Sequence, residues 1–462
     1  MFGLRQWLAA SAATVVMAAA PVAQAETLAD ALIAAYKTSH LLDQNRALLR
    51  TADEDVATAV AGLRPVMQFV AQATRQHRIY DRGGIKQNID TAAVALSFDL
   101  TLFDFGRTQA SIDAAKEAVL ATRAGLRGVE QSVLLNTVQA YVNVRLAQEI
   151  VDLRRNNQRV IGEELKASQD RFDVGEVTRT DVAQAESALG AARASLAAAE
   201  GDLLVAREAY KALTGAYPGK LATPPAAPKL PKSLEQAVAM AMREHPDMIQ
   251  QQHQVKAADM VVAQAEANMK PTIGLSTRFG RTSGILVNEF DEGTTSLTMS
   301  HTLYAGGKLS AQYRRALAQR EAQRSALLNT TVTVEQNAVN AWSSITVLGA
   351  QIAGNSRQIE AAQVAFEGVR EEAKLGARTT LEVLDAEQDL LDARAARFQT
   401  EAERYYSYYS LLAATGQLTV EKLNLGIPTY DVAAYYNAVK DAPATSYQGR
   451  ALDRVLKAIG EE

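Results

Sequence analysis

The chain has 462 residues, a formal net charge of −4 at pH 7 and no cysteine. The lack of cysteine excludes a disulfide framework, and the slightly acidic balance gives no support to nucleic-acid binding, which calls for a basic face. With only 27 glycines and 11 prolines, the sequence favours long uninterrupted elements over a string of small domains.

Residues 1–25 have the pattern of a secretory signal peptide. Arg5 precedes an apolar run from Leu8 to Ala20, and small residues stand at Ala23 and Ala25. A membrane anchor is the alternative, but this run is shorter than the roughly 20 residues that a spanning helix needs. We therefore expect cleavage after Ala25 and export of the mature chain.

The mature sequence is an internal duplication. "VGEVTRTDVAQAES" (174–187) matches "LGARTTLEVLDAEQ" (375–388), and "LFDFGR" (102–107) matches "LYAGGK" (303–308), both at an offset of 201. Upstream, "TLADALIAAY" from residue 27 resembles "SLEQAVAMAM" from residue 233 at an offset of 206. The pattern predicts two repeats, 26–217 and 233–427, joined by a proline-rich linker at 218–232 and followed by a tail at 428–462 that has no counterpart.

Each repeat is expected to contain a helix, a β-hairpin, a long helix and a shorter helix. Two-residue apolar alternation predicts hairpins at about 65–105 and about 271–304, with "DRGG" (81–84) and "NEFDEG" (288–293) as loop tips. Long helices are predicted at about 107–214 and 308–414. A seven-residue apolar period, typical of coiled-coil packing, marks the first of them at Ile112, Val119, Leu126, Val133 and Ala140.

The four strands could lie either in a soluble domain or in a membrane. Their apolar face could pack on a soluble core, or it could face lipid while the small polar face lines a lumen. Four strands cannot close a barrel, and open strand edges are not tolerated in lipid. The membrane interpretation therefore requires an oligomer.

With these motifs in order and at equal spacing, the chain resembles the TolC family of trimeric outer-membrane export ducts, over about residues 28–427. The resemblance implies a mainly α fold with a β-barrel contribution: a homotrimer with one shared twelve-stranded transmembrane barrel and a long α-helical barrel in the periplasm. It also implies a Gram-negative outer membrane with its lipid, no cofactor, and the role of exit duct for tripartite efflux or type I secretion. A periplasmic adaptor would open the duct, and an inner-membrane ABC or proton-driven transporter would energise it.

The start of the last long helix is the more acidic of the two copies. Thr379 and Glu382 have the spacing of a capping box, as do Thr178 and Asp181, so helix capping explains one acid in each copy. It leaves Asp385 unexplained. By resemblance, Glu382 and Asp385 from three chains form an acidic ring at the periplasmic entrance, which attracts cations and raises some of its own pKa values by mutual repulsion.

The resemblance assigns two further roles at these turns. Arg378 matches a closed-state latch whose partners fall on Thr180 and Asp181, although Ala373 replaces a family tyrosine and implies a rewired latch. Pairing of Arg378 with water alone is the alternative. The turn tips are Val174, Gly175, Leu375 and Gly376; the glycines permit a positive φ, and by resemblance the tips dock the adaptor.

The remaining classes of function have less support. The five histidines have no metal-ligand spacing, and no nucleophile and base arrangement indicates an enzyme. A general porin requires many more strands. A periplasmic structural coiled-coil protein without channel activity is the main alternative, but it leaves the two hairpins unexplained.

Overall fold

The computed structural model describes residues 25–79, 86–285 and 287–441. Residues 1–24 of the predicted signal peptide, the predicted loop tip at 81–84 and the end of the tail, 442–462, lie outside the described residues.

Two similar series of elements follow each other along the chain. The first comprises α1 (Leu28–Thr38), α2 (His40–Ala61), β1 (Val66–Ile79), β2 (Lys86–Phe103), α3 (Arg107–Asp173) and α4 (Arg179–Thr214). The second comprises α5 (Leu234–Glu244), α6 (Pro246–Ala267), β3 (Thr272–Ile285), β4 (Val287–Ser300), α7 (Lys308–Lys374) and α8 (Thr380–Ala414), and the short helix α9 (Ala434–Val439) comes last.

Equivalent elements have matching lengths. Both α3 and α7 have 67 residues, and both α2 and α6 have 22. The predicted two-repeat, mainly helical architecture is therefore confirmed. One refinement is that two helices precede each hairpin. Ser39 caps the start of α2. Pro246 lies in the first turn of α6, and because proline has no backbone N–H to donate, the hydrogen-bond ladder of α5 ends before it.

The long helices carry most of the packing between elements. All five residues of the predicted seven-residue period in α3, from Ile112 to Ala140, are buried. At 1.5 Å per residue, α3 and α7 are each about 100 Å long. Each lies against its shorter partner, α4 or α8, and α3 also contacts α2, α6 and α8. Among the described residues, no helix has both the length and the hydropathy needed to cross a bilayer.

The four strands form one antiparallel sheet in the order β1-β2-β3-β4. Large apolar side chains on one face are exposed, among them Phe69 at 72% and Leu297 at 69%. The prediction of a loop tip at 288–293 was wrong, because this segment lies within β4. Asp291 stands directly opposite Arg281 of β3 and forms an ion pair with it, so the charged segment stays in the ladder.

The main core packs against α3 between Val119 and Val151. It combines α1, α2, α3, α4 and the end of α8 with residues that follow α8. The C-terminal segment, residues 428–441, crosses α2 through aromatic contacts. The Arg46 guanidinium lies 5.2 Å from the ring centroid of Tyr36 and 5.4 Å from that of Tyr430, and the Tyr435 hydroxyl donates to Glu54 at 2.7 Å.

A buried aspartate and a partly buried arginine lie beneath this segment. Asp53 of α2 has no exposed surface, and it pairs with Arg123 of α3 at 3.9 Å. The Arg123 guanidinium in turn lies 5.2 Å from the ring centroid of Tyr436. Burial raises the pKa of Asp53 to about 6 from its usual 3.8, although Arg123 partly offsets this.

The Asp53 carboxylate is therefore expected to make stability depend on pH. Because the folded-state pKa is above the unfolded-state value, the protonated form stabilises the fold, and this contribution is lost as pH rises from about 4 to about 6. Relative to Asp53→Asn, the native free energy of unfolding should fall by roughly 2 kcal/mol between pH 4 and pH 7. Chemical unfolding followed by circular dichroism at pH 4 and pH 7 measures the difference. Exposed Asp55 provides the control Asp55→Asn, and a pH-independent gap between native and Asp53→Asn would contradict the expectation.

Candidate functional site

Two helix-turn tips share one backbone geometry: the first tip, residues 174–178, joins α3 to α4, and the second tip, residues 375–379, joins α7 to α8. Gly175 has a φ of 82° and Gly376 a φ of 78°. The Glu176 N–H donates to the Arg171 carbonyl, and the Ala377 N–H donates to the Glu372 carbonyl, both at 2.9 Å. This pattern is the Schellman motif, whose left-handed residue favours glycine.

Both predicted capping boxes are confirmed. The Thr178 N–H donates to the Asp181 carboxylate at 2.8 Å, and the Thr379 N–H donates to the Glu382 carboxylate, also at 2.8 Å. Each threonine hydroxyl oxygen accepts the backbone N–H of the same acid in return. These contacts fix the first turns of α4 and α8 and place each acid at the positive end of its helix dipole.

Packing of α8 determines where its acids point. Leu384 packs in a cluster with Ile161 and Ala185 of the first helix pair, while Val383 packs in another with residues of α7. Asp385 remains exposed, and the Glu382 side chain is 42% exposed. Three residues apart, the two acids lie on one face. Within the described ranges, no three His, Asp or Glu side chains are grouped in a way that could hold a metal ion.

Arg378 is held by carboxylates of its own helix pair. Its Nε donates to Glu372 at 2.8 Å and its Nη1 to Glu382 at 2.9 Å. Hydrogen bonds from the Thr379 backbone and from Arg378 keep the pKa of Glu382 below its usual value. The ring of three chains was predicted to raise some of these pKa values, because carboxylates of different chains repel each other. A single chain lacks that repulsion, so the pKa of its Glu382 is lowered instead.

The other residues of the predicted site are spread over both tips. Asp181 accepts from Thr178, and Thr180 is exposed, so the chain does not bring either to Arg378, whose contacts go to Glu372 and Glu382. Val174 is 71% exposed and Leu375 is 85% exposed. The tips therefore present one apolar side chain each beside their glycines.

Two contacts that were not predicted fasten the second helix pair to α3. Arg171 donates from Nη2 to the carbonyl of Ala373 at 2.6 Å, and Arg370 pairs with Glu164 at 2.9 Å. The Glu164 side chain is only 17% exposed. Residue 373, where the resemblance expects a tyrosine, thus takes part through its backbone.

A third contact lies deeper between the two helix pairs. The Asn157 amide of α3 donates to the Glu387 carboxylate of α8 at 3.4 Å, and both side chains are buried, at 3% and 7% exposure. Burial raises the pKa of Glu387, partly offset by the Asn157 hydrogen bond. Its equivalent in the first repeat, Glu186, is exposed, so this polar contact distinguishes the second helix pair.

Comparison with known proteins places this geometry in a family. The profile of the outer membrane efflux protein family matches residues 31–216 and 237–417. The chain is 37% identical to the outer membrane efflux protein BepC of Brucella suis biovar 1 (strain 1330), over 91% of each chain. It is 23% identical to the outer membrane protein TolC of Escherichia coli (strain K12), over 92% of this chain and 87% of TolC.

The fold has close structural neighbours as well. A crystal structure of CusC superposes with a TM-score of 0.77 at 20% identity, covering 85% of this chain and 92% of that one. The sequence match and the structural match therefore both extend over the two repeats. The chain belongs to the outer membrane efflux protein family.

Proposed function

We propose that three copies of this chain form the exit duct of a tripartite efflux pump or a type I secretion system. In this proposal a periplasmic adaptor opens the duct, and an inner-membrane ABC or proton-driven transporter energises it. One observation carries the proposal: a four-stranded sheet with an exposed apolar face and two open edges, β1 and β4, continues into helices about 100 Å long. In lipid those edges require partner strands, which further copies supply as a twelve-stranded barrel.

Exposed apolar side chains on the helices support the same assembly. On α7, Val332 is 62% and Val364 is 70% exposed, and on α4, Leu204 is 63% and Val205 is 71% exposed. Such surfaces are typical of protein interfaces. In this arrangement the repeats 26–217 and 233–427, joined by the linker 218–232, each contribute one helix pair to the wall.

The entrance of the duct is proposed to lie at the second tip. Glu382 and Asp385 share an exposed face of α8, and in three copies they place six carboxylates around one opening. Capping by Glu382 is compatible with this role, because the capping box uses only its Oε2 atom. A ring of carboxylates attracts cations into the narrow mouth.

Gating and docking are proposed for the remaining tip residues. Arg378 would latch to Thr180 and Asp181 of the other helix pair, exchanging its contacts with Glu372 and Glu382. The adaptor would dock on the apolar tips, at Val174 and Gly175 of the first and Leu375 and Gly376 of the second, where the apolar side chains are exposed.

Ion selectivity tests the entrance assignment. The double variant Glu382→Gln with Asp385→Asn removes the proposed ring, so reversal potentials in asymmetric salt should shift towards zero as cation preference is lost. The matched control, Glu186→Gln with Asp202→Asn, removes two exposed acids of α4 and should leave selectivity unchanged. Equal selectivity in native protein and double variant would rule out these acids as the entrance.

A further inference from the structure

Both hairpins carry an arginine–aspartate pair at the same position. Arg75 is the tenth residue of β1 and Arg281 is the tenth residue of β3. Arg75 stands directly opposite Asp90 of β2, and Arg281 directly opposite Asp291 of β4. The duplication has thus placed the same pair at the same distance from the helices.

Both pairs lie on the apolar face of the sheet. Because side chains alternate between faces, Arg75 shares its face with Met67 and Phe69, and Arg281 shares its face with Leu275 and Phe279. Met67 is 61%, Phe69 72% and Phe279 56% exposed. Exposed apolar side chains therefore occupy this face from the helical end of the sheet up to the charged pairs, and Ile79, four residues beyond Arg75, is also exposed, at 61%.

The height of this apolar zone fits a membrane. Nine steps of about 3.4 Å from the strand start to the arginine span about 30 Å along the strand. At the strand tilt of about 40° that is typical of outer-membrane barrels, the vertical height is about 23 Å, close to their apolar band of about 25 Å. The pairs therefore coincide with the level at which hydrocarbon gives way to lipid headgroups.

The geometry of each pair leaves one edge of the guanidinium available. Asp90 binds Nε and Nη2 of Arg75 at 2.7 and 2.9 Å, and Asp291 binds the same atoms of Arg281 at 2.7 and 3.1 Å. Nη1 therefore lies on the side away from the carboxylate. The arginine side chains are 79% and 59% exposed, so a bidentate contact fixes each guanidinium plane while Nη1 remains accessible.

We propose that Arg75 and Arg281, oriented by Asp90 and Asp291, bind the phosphates of lipid headgroups at the outer edge of the apolar band. This inference rests on the proposed duct, since the sheet must be inserted for lipid to reach it. Guanidinium donors match phosphate oxygens in charge and geometry. Because each aspartate neutralises the charge of its arginine, the arginine recognises phosphate by hydrogen bonding rather than by net charge. Contacts with headgroups at this level would also fix how deeply the barrel sits in the membrane.

Lipid titration of the purified mature protein tests the proposal. Dimyristoyl phosphatidylglycerol is added to the protein in uncharged detergent, and retained lipid is counted by native mass spectrometry. The variant Arg75→Gln, Asp90→Asn, Arg281→Gln, Asp291→Asn exchanges each ion pair for an amide pair and should weaken the apparent affinity about tenfold. The control Arg278→Gln alters an exposed arginine on the opposite face of β3 and should bind as the native protein does.

Two results would overturn the proposal: equal affinity of native protein and quadruple variant, or equally tight native binding of a digalactosyl lipid, which has no phosphate. A second variant, Arg75→Lys with Arg281→Lys, keeps both charges and covers the case in which the quadruple variant does not fold. A lysine cannot span carboxylate and phosphate together, so we expect a loss of several-fold, and native-like affinity would count against the proposal. Single-channel recordings of the native protein separate a failure of the duct from a failure of this contact.

Discussion

Replacing Gly416 by alanine is expected to destabilise the protein by about 4 kcal/mol, through left-handed backbone strain and overlap in the core. Gly416 follows α8 with a φ of 75°. A β-carbon there would overlap the Glu244 carbonyl oxygen and would lie 3.0 Å from the His245 nitrogen. Both are backbone atoms at the end of α5, so neither can move as a flexible side chain would.

Gly376 provides the matched control for this substitution. Its φ of 78° is nearly the same, but a β-carbon there would meet nothing within 4 Å. Gly376→Ala should therefore cost only the backbone strain, about 1 kcal/mol. Thermal unfolding of both variants in detergent, followed by circular dichroism, measures the difference. If both variants lose the same stability, the close approach of residue 416 to the end of α5 is not the reason for glycine at this position.

Removing the two arginine contacts between the helix pairs is expected to open the entrance. Arg171→Ala and Arg370→Ala together delete the hydrogen bond to the Ala373 carbonyl and the ion pair with Glu164. Losing about 1.4 kcal/mol of net attraction shifts the equilibrium between closed and open forms about tenfold. The time-averaged conductance of single channels should therefore rise several-fold over that of the native protein.

Two controls show whether these contacts hold the entrance closed. Lys374→Ala removes a cation at the same end of α7 whose partner, Glu371, lies on its own helix, so conductance should stay at the native level. The exchange Arg370→Glu with Glu164→Arg rebuilds the ion pair in reverse, so its conductance should be as low as that of the native protein, unlike that of Arg370→Ala. High conductance in the exchanged protein would contradict the role of this pair.

Much of the fold could be predicted because its signals are local and repeated. The seven-residue period marked the buried residues of α3, and threonine three residues before an acid marked the starts of α4 and α8. The interruptions at Ser39 and Pro246 were overlooked, although a capping residue and a proline signal each of them. The charged segment 288–293 was misread because a cross-strand partner, rather than composition, keeps it in β4.

The contacts within the site were harder to predict. Arg171 and Ala373, or Glu164 and Arg370, are separated by about 200 residues and meet only because the second repeat packs along α3. No local pattern records that packing. The burial of Glu387 has the same origin, since the sequence gives its equivalent Glu186 the same residue type but the structure leaves it exposed.

Single-channel recording of the purified mature protein in a planar lipid bilayer shows whether the protein is a channel. We expect discrete, small conductance steps that prefer cations, because in the proposed trimer a closed barrel opens into a long duct with carboxylates at its mouth. If the protein gives no conductance under conditions in which a known channel inserts, the proposal of a duct is wrong. That result would favour a structural coiled-coil protein of the periplasm.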